Sequence, residues 1–224
     1  MNDISKQDFF RFYQQRLANL RQIEKLQPVT TIHPYASFNP EFNILLAASL
    51  DSLAKYWDLT KSPGSGLKGG QRLGEFLVTH ADPNIWGRCS RLALLRSLPK
   101  GTTDIETISP SIHHDPAEVF TWRDDPKYSD LVLNDDLSKA VDGRRLRKSR
   151  YGEILYSHYR YGWLHALNPD SEILTEGELR DEPHYCCHNG QCKFVIPTKF
   201  VMRTLEAAIC SFQKKAPKKI CLEA

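Results

Sequence analysis

One arginine and two histidines lie close together in the second half of the chain, at His158, Arg160 and His165. On a helix of about 3.6 residues per turn the two histidines share a face, and Arg160 lies about 140° around the axis from His165. An imidazole can move a proton on or off a ribose hydroxyl near neutral pH, and a guanidinium can hold a phosphate through two parallel hydrogen bonds. These residue types fit RNA cleavage, although the same spacing is also common for ordinary surface and core positions of a helix.

A basic cluster precedes this segment directly. Five of the seven residues at positions 144–150 are cationic: Arg144, Arg145, Arg147, Lys148 and Arg150. Clustered cations release condensed counterions from a phosphate backbone, and the aromatic residues that follow could stack on unpaired bases. The cluster predicts an RNA-binding surface, and the alternative is a solvated basic face.

A third group of chemically capable side chains lies near residue 188. These side chains are of types that suit zinc, and they are His184, Cys186, Cys187, His188 and Cys192. Cys187 and Cys192 have Cys-x4-Cys spacing. No second C-x-x-C pair accompanies them, and adjacent residues of a strand point to opposite faces. We therefore predict no metal, with a zinc-stapled scaffold as an alternative. The remaining cysteines, Cys89, Cys210 and Cys221, are interpreted as small apolar fillers.

A literal G-x-G-x-x-G occurs at Gly64, Gly66 and Gly69. The dinucleotide fingerprint requires a strand before the glycines, whereas the pattern here predicts a long helix. We interpret this segment as a loop, and we expect no cofactor.

Periodic apolar residues predict the elements that must position these groups. Two amphipathic helices are predicted at residues 5–26 and 40–59, and shorter ones at 71–79 and 87–98. A long connection over 99–136 holds at most a single turn near 117–122, and helical structure is expected again over 134–167. The stripes of the first two helices contain Phe9, Phe10, Tyr13, Leu17, Leu20 and Ile23, then Phe42, Leu45, Leu46, Leu50, Leu53, Ala54 and Trp57.

The last third of the chain combines a hairpin with a helix. Asn189-Gly190 stands between β-branched and aromatic residues, which is the strongest short-range signal for a hairpin, here about 184–196. A C-terminal helix is predicted at about 198–213, followed by a frayed lysine-rich tail. Its apolar residues are Phe200, Val201, Leu205, Ala208, Ile209 and Phe212.

Composition limits the class of protein. The chain has 224 residues, 41% of them hydrophobic and 25% charged, with a formal net charge of +3. This is the composition of a globular domain, and we expect one domain over residues 1–224. With no run of about 18 apolar residues and no charged-then-apolar leader, we expect neither a membrane span nor export. The six cysteines are then expected to be reduced thiols in a cytoplasmic protein.

The stretch from Leu155 to His165, LYSHYRYGWLH, resembles the motif helix of the HEPN (higher eukaryotes and prokaryotes nucleotide-binding) superfamily. The motif of that family is an arginine, four to six residues, then a histidine, and Arg160 to His165 matches its four-residue form. The layout is also similar, since a helix rich in small residues at 45–54 precedes the motif and a terminal helix follows it. The resemblance implies a mainly α, HEPN-like helical bundle, with the β-hairpin as an insertion before the C-terminal helix.

The resemblance also implies a function. It predicts a metal-independent endoribonuclease, a nuclease of prokaryotic defence or toxin–antitoxin systems, in which the ribose 2′-hydroxyl attacks the adjacent phosphate. Arg160 would hold the phosphate and His165 would transfer the proton, with His158 in support. The residue after the arginine is often small and polar in the family, and here it is Tyr161, whose ring could stack on a base.

Three further expectations concern partners and rivals. Asp51 could orient Arg160 through a charge-assisted pair, or it could simply face water. Two protomers of a homodimer would bring their helices at residues 151–167 together, and an antitoxin or defence-complex protein is a candidate partner. The alternative function is a catalytically inactive HEPN-like module that binds RNA or protein.

Overall fold

In the computed structural model, the apolar stripes of three long helices meet in one core. The structure describes residues 3–26, 40–61, 66–97, 121–133, 142–158, 173–174, 181–188 and 191–221. The three helices are α1 (Lys6–Leu26), α2 (Pro40–Lys61) and α9 (Thr198–Lys215), and the mainly α fold class is confirmed. Edge-to-face contacts between Phe10, Phe212 and Phe76 join helices that are distant in sequence.

The predicted stripes are almost entirely buried. Every predicted apolar position of α9 lies in the core, as do Phe9, Phe10, Tyr13, Leu17 and Leu20 of α1. Leu45 is the exception in α2, since its side chain is 38% exposed while that of Leu46 is fully buried. Cys210 also departs from expectation, because it is exposed, whereas Cys89 fills a small cluster with Leu94, Leu131 and Leu146.

Shorter helices connect these three. They are α3 (Gly69–His80), α4 (Pro83–Trp86), α5 (Arg91–Ser97), α6 (Tyr128–Val132), α7 (Gly143–Lys148) and α8 (Tyr151–Tyr156), with a 3₁₀ turn at Trp122–Asp124. The helix predicted at 71–79 is therefore confirmed and slightly longer. Most of the turn predicted near 117–122, and the helical segments predicted at 134–141 and 159–167, lie outside the described residues.

The helical stretch predicted over 134–167 is interrupted at residues 149–150. Between α7 and α8 the chain pairs with residues 88–90: the Ser90 N–H donates to Ser149 O at 2.7 Å, and the Tyr151 N–H donates to Arg88 O at 3.1 Å. Arg150 has the extended backbone that this pairing requires. The same pairing delays the start of α5 to Arg91, so the helix predicted from residue 87 begins four residues later.

Two small sheets complete the fold. In the first, the predicted hairpin is confirmed as antiparallel strands β3 (His184–His188) and β4 (Gln191–Val195), and β2 (Ile173–Leu174) pairs in parallel with β4. In the second, β1 (Asp3–Ser5) pairs with β5 (Lys219–Cys221). The lysine-rich tail is therefore not frayed as predicted, because its backbone hydrogen bonds are made with the first residues of the chain.

Candidate functional site

Arg160, Tyr161 and His165 lie outside the described residues, which on this side end at His158. Helix α8 precedes that segment in the chain. His158 lies two residues after the end of α8 and is half-buried. The described part of the candidate site therefore consists of α8 and the residues packed against it.

Glycines hold α8 unusually close to α3. A Cβ on Gly152 would lie 2.5 Å from Gly74 Cα, so the two backbones touch where the helices cross. A Cβ on Gly69 would overlap the ring of Tyr156. Larger residues at either position would push α8 away from the bundle.

An ion pair fixes the first turn of α8 as well. The Arg150 guanidinium donates to Glu75 Oε1 of α3 at 2.6 Å and lies 4.5 Å from the ring centroid of Tyr128. The Arg150 side chain is only 5% exposed. The expectation that Arg150 contacts RNA is therefore corrected: its guanidinium is buried against Glu75 and Tyr128 rather than exposed.

The other members of the basic cluster form an exposed group on α7. Arg144, Arg145 and Lys148 are exposed and Arg147 is half-buried. Asp142 caps the helix by accepting the Arg144 N–H at 3.0 Å. Burial raises the pKa of the Glu153 carboxyl on α8, and the charges of Arg150, Arg147 and Lys148 oppose this rise, so the cations of α7 stand near α8.

Asp51 forms an ion pair with Arg72, with Arg72 Nη2 3.2 Å from Asp51 Oδ1. The two side chains are 21% and 17% exposed, so the carboxylate is partly accessible and is held between α2 and α3. Because Asp51 makes this ion pair, the alternative in which its side chain simply faces water is excluded. The predicted contact between Asp51 and Arg160 stays a prediction, because Arg160 is not among the described residues.

Asp51 and Tyr156 line the same open cleft. The cleft has a volume of about 340 Å³ and lies between α2, α3 and α8. Its lining residues are Ala47, Ala48, Leu50, Asp51, Ser52, Lys55, Tyr56, Leu73, Leu155 and Tyr156. One wall of the cleft thus carries the Asp51 carboxylate, and the other wall is α8, the helix that precedes the motif in the chain.

A larger cavity of about 610 Å³ lies elsewhere, between α4, α9 and the chain near Trp122. Trp86 and Phe200 stack in its wall with centroids 5.5 Å apart. Its rim charges form pairs with each other, Arg123 with Glu182 and Arg203 with Asp181. This cavity contains none of the predicted site residues.

A buried carboxylate that sequence reasoning missed lies in the long connection. Asp125 is 2% exposed and accepts hydrogen bonds from the Tyr151 hydroxyl, from the Tyr185 hydroxyl at 2.5 Å and from the Arg91 N–H at 3.2 Å. Burial raises its pKa to about 6, and the hydrogen bonds only partly offset that rise. Nothing in the local sequence distinguishes Asp125 from its exposed neighbour Asp124, because its partners come from α5, α8 and β3.

Asp125 gives the protein a predictable pH dependence. Its pKa is about 6 in the folded state against an ordinary value of 3.8, so between these values the folded state binds more protons than the unfolded state. We expect the contribution of Asp125 to the free energy of unfolding to fall by about 2–3 kcal/mol as the pH rises from about 4 to about 7. His80 acts in the opposite direction over this range, because burial lowers its pKa to about 4. Urea unfolding should therefore be compared between the wild type and Asp125→Asn at each pH, and the stability of the wild type relative to Asp125→Asn should fall by this amount. Exposed Asp130→Asn is the control, and an identical slope in Asp125→Asn would contradict the assignment.

Metal ligands are not assembled in the described part of the chain, where no three His, Cys, Asp or Glu side chains are grouped to hold an ion. His184 is buried, with its Nδ1 2.8 Å from Glu182 O. The side chains at 186–188 and 191–192 are not described, so the zinc alternative stays open.

Comparison of the chain with protein-family models, with curated proteins and with solved structures gave no match. Among the helices of the described ranges, none has the length and apolar character needed to cross a membrane.

Proposed function

We propose that the protein is a metal-independent endoribonuclease in which Arg160 holds the scissile phosphate and His165 transfers a proton. The observation that supports this proposal is the cleft shared by Asp51 and Tyr156, since it gives the helix leading to residues 160–165 a polar, accessible side. The exposed cations of α7 lie near this helix and suit a phosphate backbone.

The proposed reaction is an internal transfer within the RNA strand. The ribose 2′-oxygen loses its proton and attacks the adjacent phosphorus, the bond to the 5′-oxygen breaks, and that oxygen takes up a proton. An imidazole at His165 serves these proton transfers, and the Arg160 guanidinium stabilises the charge that develops on the phosphate. The products are a 2′,3′-cyclic phosphate and a 5′-hydroxyl.

The biological setting is part of the same proposal. The active species is a cytoplasmic homodimer in which the segments at residues 151–167 of the two protomers face each other, because the sequence spacing predicts Arg160 and His165 about 140° apart on a helix. An antitoxin or defence-complex protein is a candidate partner. Light scattering coupled to size exclusion is expected to give twice the mass of 25.7 kDa, and a strictly monomeric active protein would contradict the shared site.

Cleavage of a mixed RNA pool, with and without EDTA, tests the reaction. We expect cleavage in both conditions, and products that end in 2′,3′-cyclic phosphate and 5′-hydroxyl. Products that carry 5′-phosphates, or inhibition by EDTA, would point to a metal-activated water and would contradict the proposal.

RNA binding without cleavage is the second candidate function, and the exposed face of α7 is the observation that favours it. In that case the pool would be bound and recovered intact. The variant Arg144→Ser/Arg145→Ser/Lys148→Ser tests binding under both candidates.

We expect this triple variant to bind RNA more weakly and with a flatter salt dependence. Each lost phosphate contact removes about 0.7 from the slope of log K against log salt for a single strand, so three contacts remove about 2. A charge-matched control replaces three exposed lysines near the C-terminus, Lys214, Lys215 and Lys218. Equal slopes for the two triple variants would show that α7 is only a solvated face.

A further inference from the structure

The larger cavity, between α4, α9 and the chain near Trp122, has the size of a small-molecule site. Its volume of about 610 Å³ lies within the range of about 300–1,000 Å³ that is typical of such sites. Trp86 and Phe200 are stacked in its wall and are 1% and 7% exposed. Ile85 and Ala207 add apolar surface to the lining. The wall therefore suits the apolar part of a ligand.

One polar atom in this wall lacks a partner. The Trp86 indole is buried, and its Nε1 makes no hydrogen bond with any residue that the structure describes. An indole N–H is a donor only, and buried donors in proteins are ordinarily paired with protein, water or ligand. Among the described residues that line this cavity, Trp86 is the one with such an atom. An oxygen acceptor of a bound molecule would satisfy it.

The charges at the cavity are nearly balanced. The lining includes three carboxylates and two guanidiniums, which belong to Asp82, Asp181, Glu182, Arg123 and Arg203. A ligand with a single charge would be attracted by groups of one sign and repelled by groups of the other. A zwitterion gains from both, because its ammonium can approach a carboxylate and its carboxylate can approach a guanidinium.

The ion pairs at the rim leave positions for these contacts. The Asp181 carboxylate contacts Arg203 through Oδ2, at 3.4 Å. The Glu182 carboxylate uses Oε2 for its contacts with Arg123 at 3.3 Å and with the Trp122 indole at 2.7 Å. Within the described residues, Asp181 Oδ1 and Glu182 Oε1 are therefore left as acceptors. The paired side chains are 43–68% exposed, so these ion pairs are weak and can open toward a ligand.

A guanidinium and the unpartnered donor belong to the same part of the cavity. Arg203 lies three residues after Phe200, on the same face of α9, and Phe200 stacks on Trp86 with ring centroids 5.5 Å apart. The two oxygens of one ligand carboxylate can then accept from both donors.

We propose that this cavity binds an α-amino acid with a large apolar side chain. The side chain packs on the aromatic wall, the α-carboxylate accepts from Trp86 Nε1 and Arg203, and the ammonium contacts Asp181 or Glu182. The cavity contains none of the residues of the proposed nuclease site, so this binding function is independent of RNA cleavage.

Calorimetric titration of the full chain with L-phenylalanine and two analogues tests the charge requirement. Phenethylamine lacks the carboxylate and 3-phenylpropionate lacks the ammonium, while both keep the aromatic ring. We expect L-phenylalanine to bind at least about tenfold more tightly than either analogue, since each analogue loses a charge-assisted hydrogen bond. Glycine keeps both charges without the apolar side chain and should also bind more weakly. Equal binding of either analogue, or no binding of L-phenylalanine at millimolar concentration, would overturn the proposal.

The variant Trp86→Phe keeps an aromatic ring in the wall and removes the donor. We expect it to bind L-phenylalanine about tenfold more weakly than the wild type. Trp57→Phe makes the same change in the core outside the cavity and should keep the wild-type affinity. Unchanged affinity in folded Trp86→Phe would show that water alone satisfies the donor, and this result would contradict the site. If that variant does not fold, the wild-type series decides.

Indole N–H signals in nuclear magnetic resonance spectra locate the bound amino acid. The chain has four tryptophans, and the signal that is absent from Trp86→Phe belongs to Trp86. L-Phenylalanine should shift this signal and leave the signal of Trp57 in place. A shift of the Trp57 signal alone would put the ligand elsewhere and refute the assignment. Binding of L-phenylalanine without RNA cleavage would retain this site and remove the nuclease function, and cleavage without such binding would do the reverse.

Discussion

Replacing His165 by alanine is expected to lower RNA cleavage by about 10²- to 10⁴-fold, because an imidazole in proton transfer contributes about that factor. Arg160→Lys should also fail, since an ammonium is a point charge and cannot reproduce the planar fork of a guanidinium. Rates of single-turnover cleavage measure both losses. Circular dichroism and thermal unfolding should show that the fold is kept.

Arg203→Lys is a matched control for the charge-conserving substitution. Arg203 is exposed and pairs with Asp181 at the larger cavity, which contains none of the predicted site residues, so its replacement should leave cleavage unchanged. Mixing the inactive Arg160→Lys and His165→Ala variants should restore part of the activity if each site of the dimer takes its arginine and histidine from different protomers. Full cleavage by both single variants would refute the assignment of the motif.

Gly152→Ala should have the second large effect, this time on stability. The added Cβ would lie 2.5 Å from Gly74 Cα and 3.1 Å from Gly74 N, and backbone atoms cannot rotate out of the way as a side chain can. Overpacking of this kind costs about 1–3 kcal/mol, whereas alanine gains only about 1 kcal/mol over glycine in helix propensity. We therefore expect a net loss in the free energy of unfolding, larger still for Gly152→Val.

Gly143→Ala is the control for Gly152→Ala, because it makes the same change in helix propensity without a steric clash. Gly143 begins α7, and a Cβ there meets no atom within 4 Å. Urea unfolding should show that this variant is as stable as the wild type or slightly more so. If Gly152→Ala proved as stable as Gly143→Ala, the close crossing of α3 and α8 would be contradicted.

Displacement of α8 would also change the cleft between α2, α3 and α8. Tyr156 forms one wall of the cleft and contacts Gly69, so any shift of α8 changes the width of that cleft. Gly152→Ala should therefore lower RNA cleavage by the folded variant, and Gly143→Ala should not.

Local patterns in the sequence determined the long helices and the hairpin. The three- and four-residue spacing of Phe9, Tyr13 and Leu17 places them on one stripe whatever that stripe packs against, and Asn189-Gly190 selects a tight turn between its flanking strands. The cation-rich character of residues 144–148 is likewise a property of the sequence alone. These features depend on neighbours within about one or two helical turns.

Tertiary pairing decided the rest. Strand β5 forms only because Asp3–Ser5 lies beside it, and the break at residues 149–150 exists because residues 88–90 offer hydrogen bonds that compete with a continuing helix. That break turns Arg150 toward Glu75 and leaves Arg144 exposed, although both belong to one cationic run. Burial of Asp125 depends on Tyr151 and Tyr185, which are 26 and 60 residues away in sequence. Side-chain type is local, but the burial and partners that give a charged group its role are set by segments that meet only in the folded chain.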